Sequence, residues 1–156
     1  MNYQLDEIDK QILDFLVENT RMPFTEIAKQ MDVSAGTIHV RVKKMEDAGI
    51  ILGSSLNIDY GKLDYHFTAF IGILLTKSNR TQDVLKELAM IPNVIEASVI
   101  SGKYNIFCKV RAKNTEDAKR IIYQIDDIQD VMRTESMISM EEFLSDKNRL
   151  INAISV

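Results

Sequence analysis

The spacing of apolar residues changes at Gly49, and the change divides the chain. Up to Gly49 they recur at helical intervals. Leu5, Ile8, Ile12, Leu13, Leu16 and Val17 share one face from Asp6 to about Glu18, and Asn19 to Phe24, with Pro23, breaks the run. Ile27, Ala28 and Met31 then mark a short helix from Thr25, and Ile38, Val42 and Met45 mark a third. Beyond Gly49 the run Ile50, Ile51, Leu52, followed by Ser54, Leu56 and Ile58, predicts a strand leading away from the helices, with a short strand pair or wing. The turn-rich stretch DYGKLDY (Asp59 to Tyr65) reads as a boundary.

The second half reads strand, helix, strand, strand, helix, strand. Tyr65 to Thr76 is β-prone. Arg80 to Ile91 places Val84, Leu85, Leu88 and Ile91 on one helical face and stops at Pro92. Val94 to Ser101 and Tyr104 to Ala112 are predicted strands meeting at Gly102-Lys103, two residues of hairpin length. Asn114 caps a helix striped by Ala118, Ile121, Ile122, Ile125 and Ile128, and Val131 to Phe143 is the last strand. This βαββαβ order predicts a ferredoxin-like sandwich, two helices over one face of a four-stranded antiparallel sheet. Phe67, Ala69, Ile71, Ile73 and Leu75 make one side of the first strand, yet Phe70 and Leu74 lie on the other, so a second sheet is expected to cover the face that the helices leave open. That arrangement is a homodimer.

The short pair of helices carries the candidate chemistry. Asp32, Val33 and Ser34 form the turn between them; Asp tolerates a left-handed backbone, and Ser34 suits the next helix's N-cap. With Ile38, Val42 and Met45 turned inward, Gly36, Thr37, Val40, Lys43 and Lys44 face outward, flanked by His39 and Arg41. An exposed face that begins with small and hydroxyl residues and ends in cations fits a major groove of double-stranded DNA. Its first turn meets base edges, and Arg and Lys hold phosphates. Three cations on a helix, taken alone, favour a solvated face; the turn, the small Ala28 at the crossing, Ile38 and the Ser34 cap shift the reading to DNA. The fold class is therefore α+β: a (winged) helix-turn-helix domain over 1–52, a linker over 53–64, a ferredoxin-like ligand-binding and oligomerisation domain over 65–144, and a tail over 145–156 that packs as an arm or frays.

The segment LDEIDKQILDFLVENTRMPFTEIAKQM with DVSAGTIHVRVKKMEDAGII resembles the amino-terminal domain of the Lrp/AsnC (feast/famine) transcription regulators, and is most similar to its asparagine-responsive AsnC subgroup. The likeness runs through GKYNIF (Gly102 to Phe107) and the Thr134 to Ser136 strand. Asp32 stands where many members have glycine. The resemblance implies small effectors, mostly amino acids, bound between neighbouring dimers, and dimers assembled into closed discs of four, an octamer.

Ser101, Gly102, Lys103 and Tyr104 at the hairpin, with Thr134 and Ser136, are the candidate effector residues. The two hydroxyls share a strand face, and a glycine lets a ligand approach the backbone. The residues alone favour a plain solvated hairpin with polar strand residues facing water; the resemblance selects the ligand site. Many members carry an acidic residue in this turn, whereas Lys103, Tyr104 and Asn105 stand here, a departure the AsnC subgroup shares, so asparagine is the first effector expected. Glu135, on the opposite face of its strand from Thr134, is a subsidiary candidate.

Charge modifies the picture. Nineteen Lys and Arg against 23 Asp and Glu leave a net charge of -4, and residues 1–55 carry six cations against nine acids. Half of those cations (Arg41, Lys43, Lys44) sit on the DNA-facing helix. One copy should therefore grip DNA weakly, since affinity follows the phosphates neutralised, and several copies must act together. An alternative of the same fold is an architectural protein that wraps DNA without an amino-acid effector. Catalysis is not expected. His39 and His66 lie in different domains, the lone Cys108 alternates with Ile106 and Val110 as a buried strand residue, and the carboxylates of Asp126 and Asp127, or of Glu141 and Glu142, do not converge. No cofactor or metal is expected. The opening MNYQLDEIDK is unlike a signal peptide and no apolar run is long enough for a membrane span, so a cytoplasmic protein is expected.

Overall fold

The computed structural model describes residues 3–146 and 148–154. The chain forms two compact units, Met1–Asn57 with Leu144–Val156, and Ile58–Phe143.

The first unit packs three helices, α1 (Glu7–Glu18), α2 (Phe24–Gln30) and α3 (Ala35–Asp47). Asp6 caps α1 by accepting from the Asp9 N–H at 2.9 Å, while the Asp9 carboxylate accepts from the Asp6 N–H at 3.2 Å, a reciprocal capping box. Pro23 opens α2, where a missing N–H costs nothing. Asp32 adopts the left-handed backbone expected of it, with φ 54°. Ile12, Leu13, Ile27, Ala28, Ile38, Val42 and Met45 are the buried core, and each large side chain removed from water contributes about 1.5–3 kcal/mol. The tail also joins this unit. Ile151, in a short 3-10 turn (Arg149–Ala153), packs against the same cluster. The predicted wing does not form: residues 51–59 have no regular structure, and Leu52 and Leu56 are exposed. An apolar run becomes a strand only when its backbone finds a partner, and none is supplied within the described chain.

In the second unit β1 (Phe67–Leu75), α4 (Thr81–Leu88), β2 (Val94–Val99), β3 (Ile106–Ala112), α5 (Thr115–Asp126) and β4 (Val131–Ile138) follow the predicted order. The sheet runs β2-β3-β1-β4, antiparallel throughout. Ala69, Ile71 and Ile73 of β1, Ile106, Cys108 and Val110 of β3, Val84 and Leu88 of α4, and Ala118, Ile121 and Ile125 of α5 are buried together. The opposite face stacks Phe70 on Phe107, with ring centroids 5.9 Å apart. Two details differ from the sequence expectation. The hairpin is not closed by two residues, because Asn105 is drawn to β1. Its N–H donates to the Ile73 carbonyl and its Oδ1 accepts from the Leu75 N–H, both at 2.9 Å, so the turn widens to Ser101–Tyr104. The last strand ends at Ile138 because β1 begins at Phe67; once the Ser139 N–H has met the Thr68 carbonyl, β4 has no further backbone to pair with. The irregular segment beyond returns Glu142 to Lys109 and Arg111 on the open sheet face.

Candidate nucleic-acid interface and ligand site

The third helix is held as its sequence implies. The Ser34 Oγ accepts from the Thr37 N–H at 3.0 Å and pairs with the Thr37 hydroxyl at 2.9 Å, so both hydroxyls are fixed at the helix start while remaining accessible. Ile38, Val42 and Met45 are buried, and Gly36, His39, Val40, Lys43 and Lys44 are exposed. His39 lies towards α2, its ring 6.1 Å from that of Phe24. Lys43 pairs with Asp47 one turn on, at 3.1 Å, whereas Lys44 has no carboxylate partner among the described residues.

Arg41 is placed differently from the other cations. Its Nη1 lies 2.7 Å from Asp6 Oδ2 and 2.8 Å from Asp9 Oδ1, carboxylates at the start of α1. Asp9 is itself buried and also accepts from the Tyr3 hydroxyl at 2.9 Å. The Asp9 backbone N–H and the Arg41 guanidinium hold the Asp6 carboxyl below the usual carboxylate range. The Arg41 guanidinium is pushed up by the same partners.

At the second candidate site the six predicted residues do not converge on one chain. Thr134 pairs with Ile73 and Ser136 with Ile71 across the sheet, which turns both hydroxyls to the helix-covered side. There the Thr134 hydroxyl donates to Asp126 Oδ1 of α5 at 2.7 Å. Lys103 and Tyr104 instead lie on the open face and gather around Glu135. The Lys103 ammonium is 2.6 Å from Glu135 Oε2, the Tyr104 hydroxyl donates to the same oxygen at 2.6 Å, and Arg133 approaches Oε1 at 3.3 Å. The Lys103 ammonium holds the Glu135 carboxyl low and is itself pushed up. It also sits 5.1 Å from the Tyr104 ring centre, a cation–π distance. Ser101 and Gly102 are exposed at the turn, and Gly102 has φ 121°, a backbone that favours glycine.

Comparison with known proteins gives these two arrangements a common setting. The AsnC-type helix-turn-helix domain matches residues 5–46, and the Lrp/AsnC ligand binding domain matches residues 68–148. The regulatory protein AsnC of Haemophilus influenzae is 39% identical over 140 residues, covering 89% of this chain and 93% of its own. The chain belongs to the Lrp/AsnC family.

AsnC of Escherichia coli is 38% identical over 141 residues, covering 90% of this chain and 93% of its own. Its solved structure superposes with a TM-score of 0.86 at 35% identity, covering 92% of this chain and 97% of that one. A Neisseria meningitidis transcriptional regulator in complex with L-Met has the same fold, with a TM-score of 0.86 at 19% identity over 93% and 96% of the two chains. The chain is thus an AsnC-type transcription regulator, one unit a helix-turn-helix DNA-binding domain and the other a ligand-binding domain. Among the described residues no helix is long and apolar enough to cross a membrane.

Two residues of this Lrp/AsnC ligand-binding domain stand out only in the folded chain. Glu135, the subsidiary candidate, is the centre of the hairpin cluster. Gly72 makes room for the Tyr104 ring: a Cβ there would lie 2.7 Å from it. The signal was present: an isolated glycine inside an apolar strand marks a close approach.

Proposed function

We propose that the chain is a sequence-specific, cytoplasmic DNA-binding regulator whose assembly or grip on DNA answers to a free amino acid, asparagine first. The observation that carries the reading is the outer face of α3. Gly36, Thr37 and Val40 offer a surface without bulky charge beside the Ser34 cap, His39 flanks it, and Lys43 and Lys44 follow towards the phosphates. The open sheet face, with Phe70, Leu74 and Phe107, supports a homodimer packed sheet to sheet. The family resemblance extends this to discs of four dimers.

An effector site that uses Ser101, Gly102, Lys103 and Tyr104 together with Thr134 and Ser136 draws the two groups from neighbouring copies, since on one chain they occupy opposite faces of the sheet. Such a ligand binds the assembled state better than the separated one, the differential affinity that regulation requires. The L-Met complex of the Neisseria protein and the relation to AsnC support an amino acid as its class. Melting of the purified chain against each of the twenty amino acids tests the reading. A melting temperature that rises with asparagine concentration supports it. No shift with any of the twenty removes the effector half and leaves the DNA half standing.

The net charge of -4 and the pairing of Lys43 favour a second reading, an architectural protein that wraps DNA through many weak contacts. An affinity ratio near unity between a selected duplex and random DNA would favour it.

A further inference from the structure

The contact between α1 and α3 gives Arg41 a role separate from that of the other cations on the recognition helix. Arg41 projects from α3 on the flank that meets the start of α1, and its Nη1 is shared between the Asp6 and Asp9 carboxylates. The Asp9 side chain is only 2% exposed. A buried carboxylate is tolerated when paired and hydrogen-bonded, and Asp9 has Arg41, the Tyr3 hydroxyl and the Asp6 N–H. Asp6 in turn caps α1, so the brace is continuous with that helix's own N-terminal hydrogen bonds.

Resting on the DNA-binding reading above, we propose that Arg41 is a positioning residue. It fixes the rotation of α3 against α1 through Asp6 and Asp9, while Lys43 and Lys44 meet the phosphates. Two carboxylates against one guanidinium make the cluster net negative, so a DNA phosphate approaching it is repelled by Asp6, whose side chain is half exposed. Drawing Arg41 onto a phosphate would also leave the buried Asp9 without its cation, whereas Lys44 gives up no ion pair to bind.

The test uses the full chain, a duplex selected for tight binding by the unmodified protein and a scrambled duplex, with affinity measured over a salt series. Each phosphate contact contributes about 0.9 to the slope of log affinity against log salt. Arg41→Gln is expected to lower the melting temperature by roughly 10 °C. On scrambled DNA its salt slope stays unchanged, while preference for the selected duplex falls by about tenfold, within the range of one misplaced base contact. Lys44→Gln is expected to flatten the slope by about 0.9 and leave the melting temperature alone.

A slope for Arg41→Gln flattened as much as for Lys44→Gln would make Arg41 a phosphate contact and overturn the proposal. An unchanged preference would reduce it to a stabilising ion pair and overturn it equally. If Arg41→Gln does not fold, Arg41→Lys replaces it. That variant keeps a cation for a phosphate, but its shorter side chain stops short of the position of Nη1. The brace predicts lost preference; a phosphate contact predicts none lost. Failure of the DNA reading itself is distinguishable, because Lys43→Gln and Lys44→Gln would then both leave the slope untouched.

Discussion

Replacing Gly72 by alanine tests the packing of the Tyr104 ring on the open sheet face. Gly72 pairs with Phe107 and Glu135 in the middle of the sheet. The added Cβ would stand 2.7 Å from three carbons of the Tyr104 ring, whereas ordinary contact begins at 3.4 Å, so the ring must retreat by about 0.7 Å. It has little freedom to do so. Its hydroxyl is bound to Glu135 at 2.6 Å, and Phe107 lies behind it at 6.3 Å between ring centres. Overpacking of this kind costs about 1–3 kcal/mol. Alanine in place of glycine inside a strand returns about 0.5–1 kcal/mol through lower backbone entropy in the unfolded chain. The net expectation from those two terms is a loss of about 0–2.5 kcal/mol.

With Tyr104→Ala the obstacle is gone. Gly72→Ala should then be neutral or stabilising, and the coupling between the two sites should be on the order of 1–3 kcal/mol. Urea denaturation of the unmodified protein, both single variants and the double variant measures that coupling. Equal effects of Gly72→Ala in both backgrounds would refute the reasoning, because the Tyr104 ring would then not be what the added Cβ meets.

Three further outcomes are expected. Asp32 sits at φ 54° in the turn before α3, so Asp32→Val should destabilise the helix-turn-helix unit by about 1–3 kcal/mol while Asp32→Gly holds or raises its melting temperature. The carboxyls of Asp6, Asp117, Asp130, Glu135 and Glu142 are all held below their ordinary range, the last by Lys109 and Arg111. Depressed values favour the folded state above the unfolded pKa, near 4, and that stability is lost as pH falls through the folded values; denaturation midpoints should therefore hold between about pH 7 and 5 and fall below about pH 4, with a shallower fall in Glu142→Gln. Burial pushes the Cys108 thiol up to about 11, so a thiol reagent at neutral pH should label it only once the protein unfolds.

What the chain's pattern reveals depends on how local the cause is. The stripe of Ile38, Val42 and Met45 and the cap at Ser34 were legible because helical period and capping act within one turn. The βαββαβ order was legible because each element carries its own period. That Glu135 faces away from Thr134 also followed from alternation alone. Which face held Lys103 and Tyr104 did not, since that depends on how the widened turn leaves β3, and Asn105 settles it by bonding to β1. The flank position of Arg41 on its helix implies a groove-facing cation. The carboxylates that claim it come from α1, more than 30 residues earlier. The apolar run at residues 50–58 identified side chains that favour burial, but periodicity carries no information on whether a backbone partner exists.

Reading of DNA sequence falls, on the function proposed above, to the outer face of α3. Selection of tight binders from a pool of randomised duplexes, repeated with Thr37→Ala, tests it most directly. A recurrent motif with two-fold symmetry is expected for the unmodified chain, and a relaxed or altered base preference within each half-site for Thr37→Ala. No recurrent motif, or an identical motif from both proteins, would contradict it.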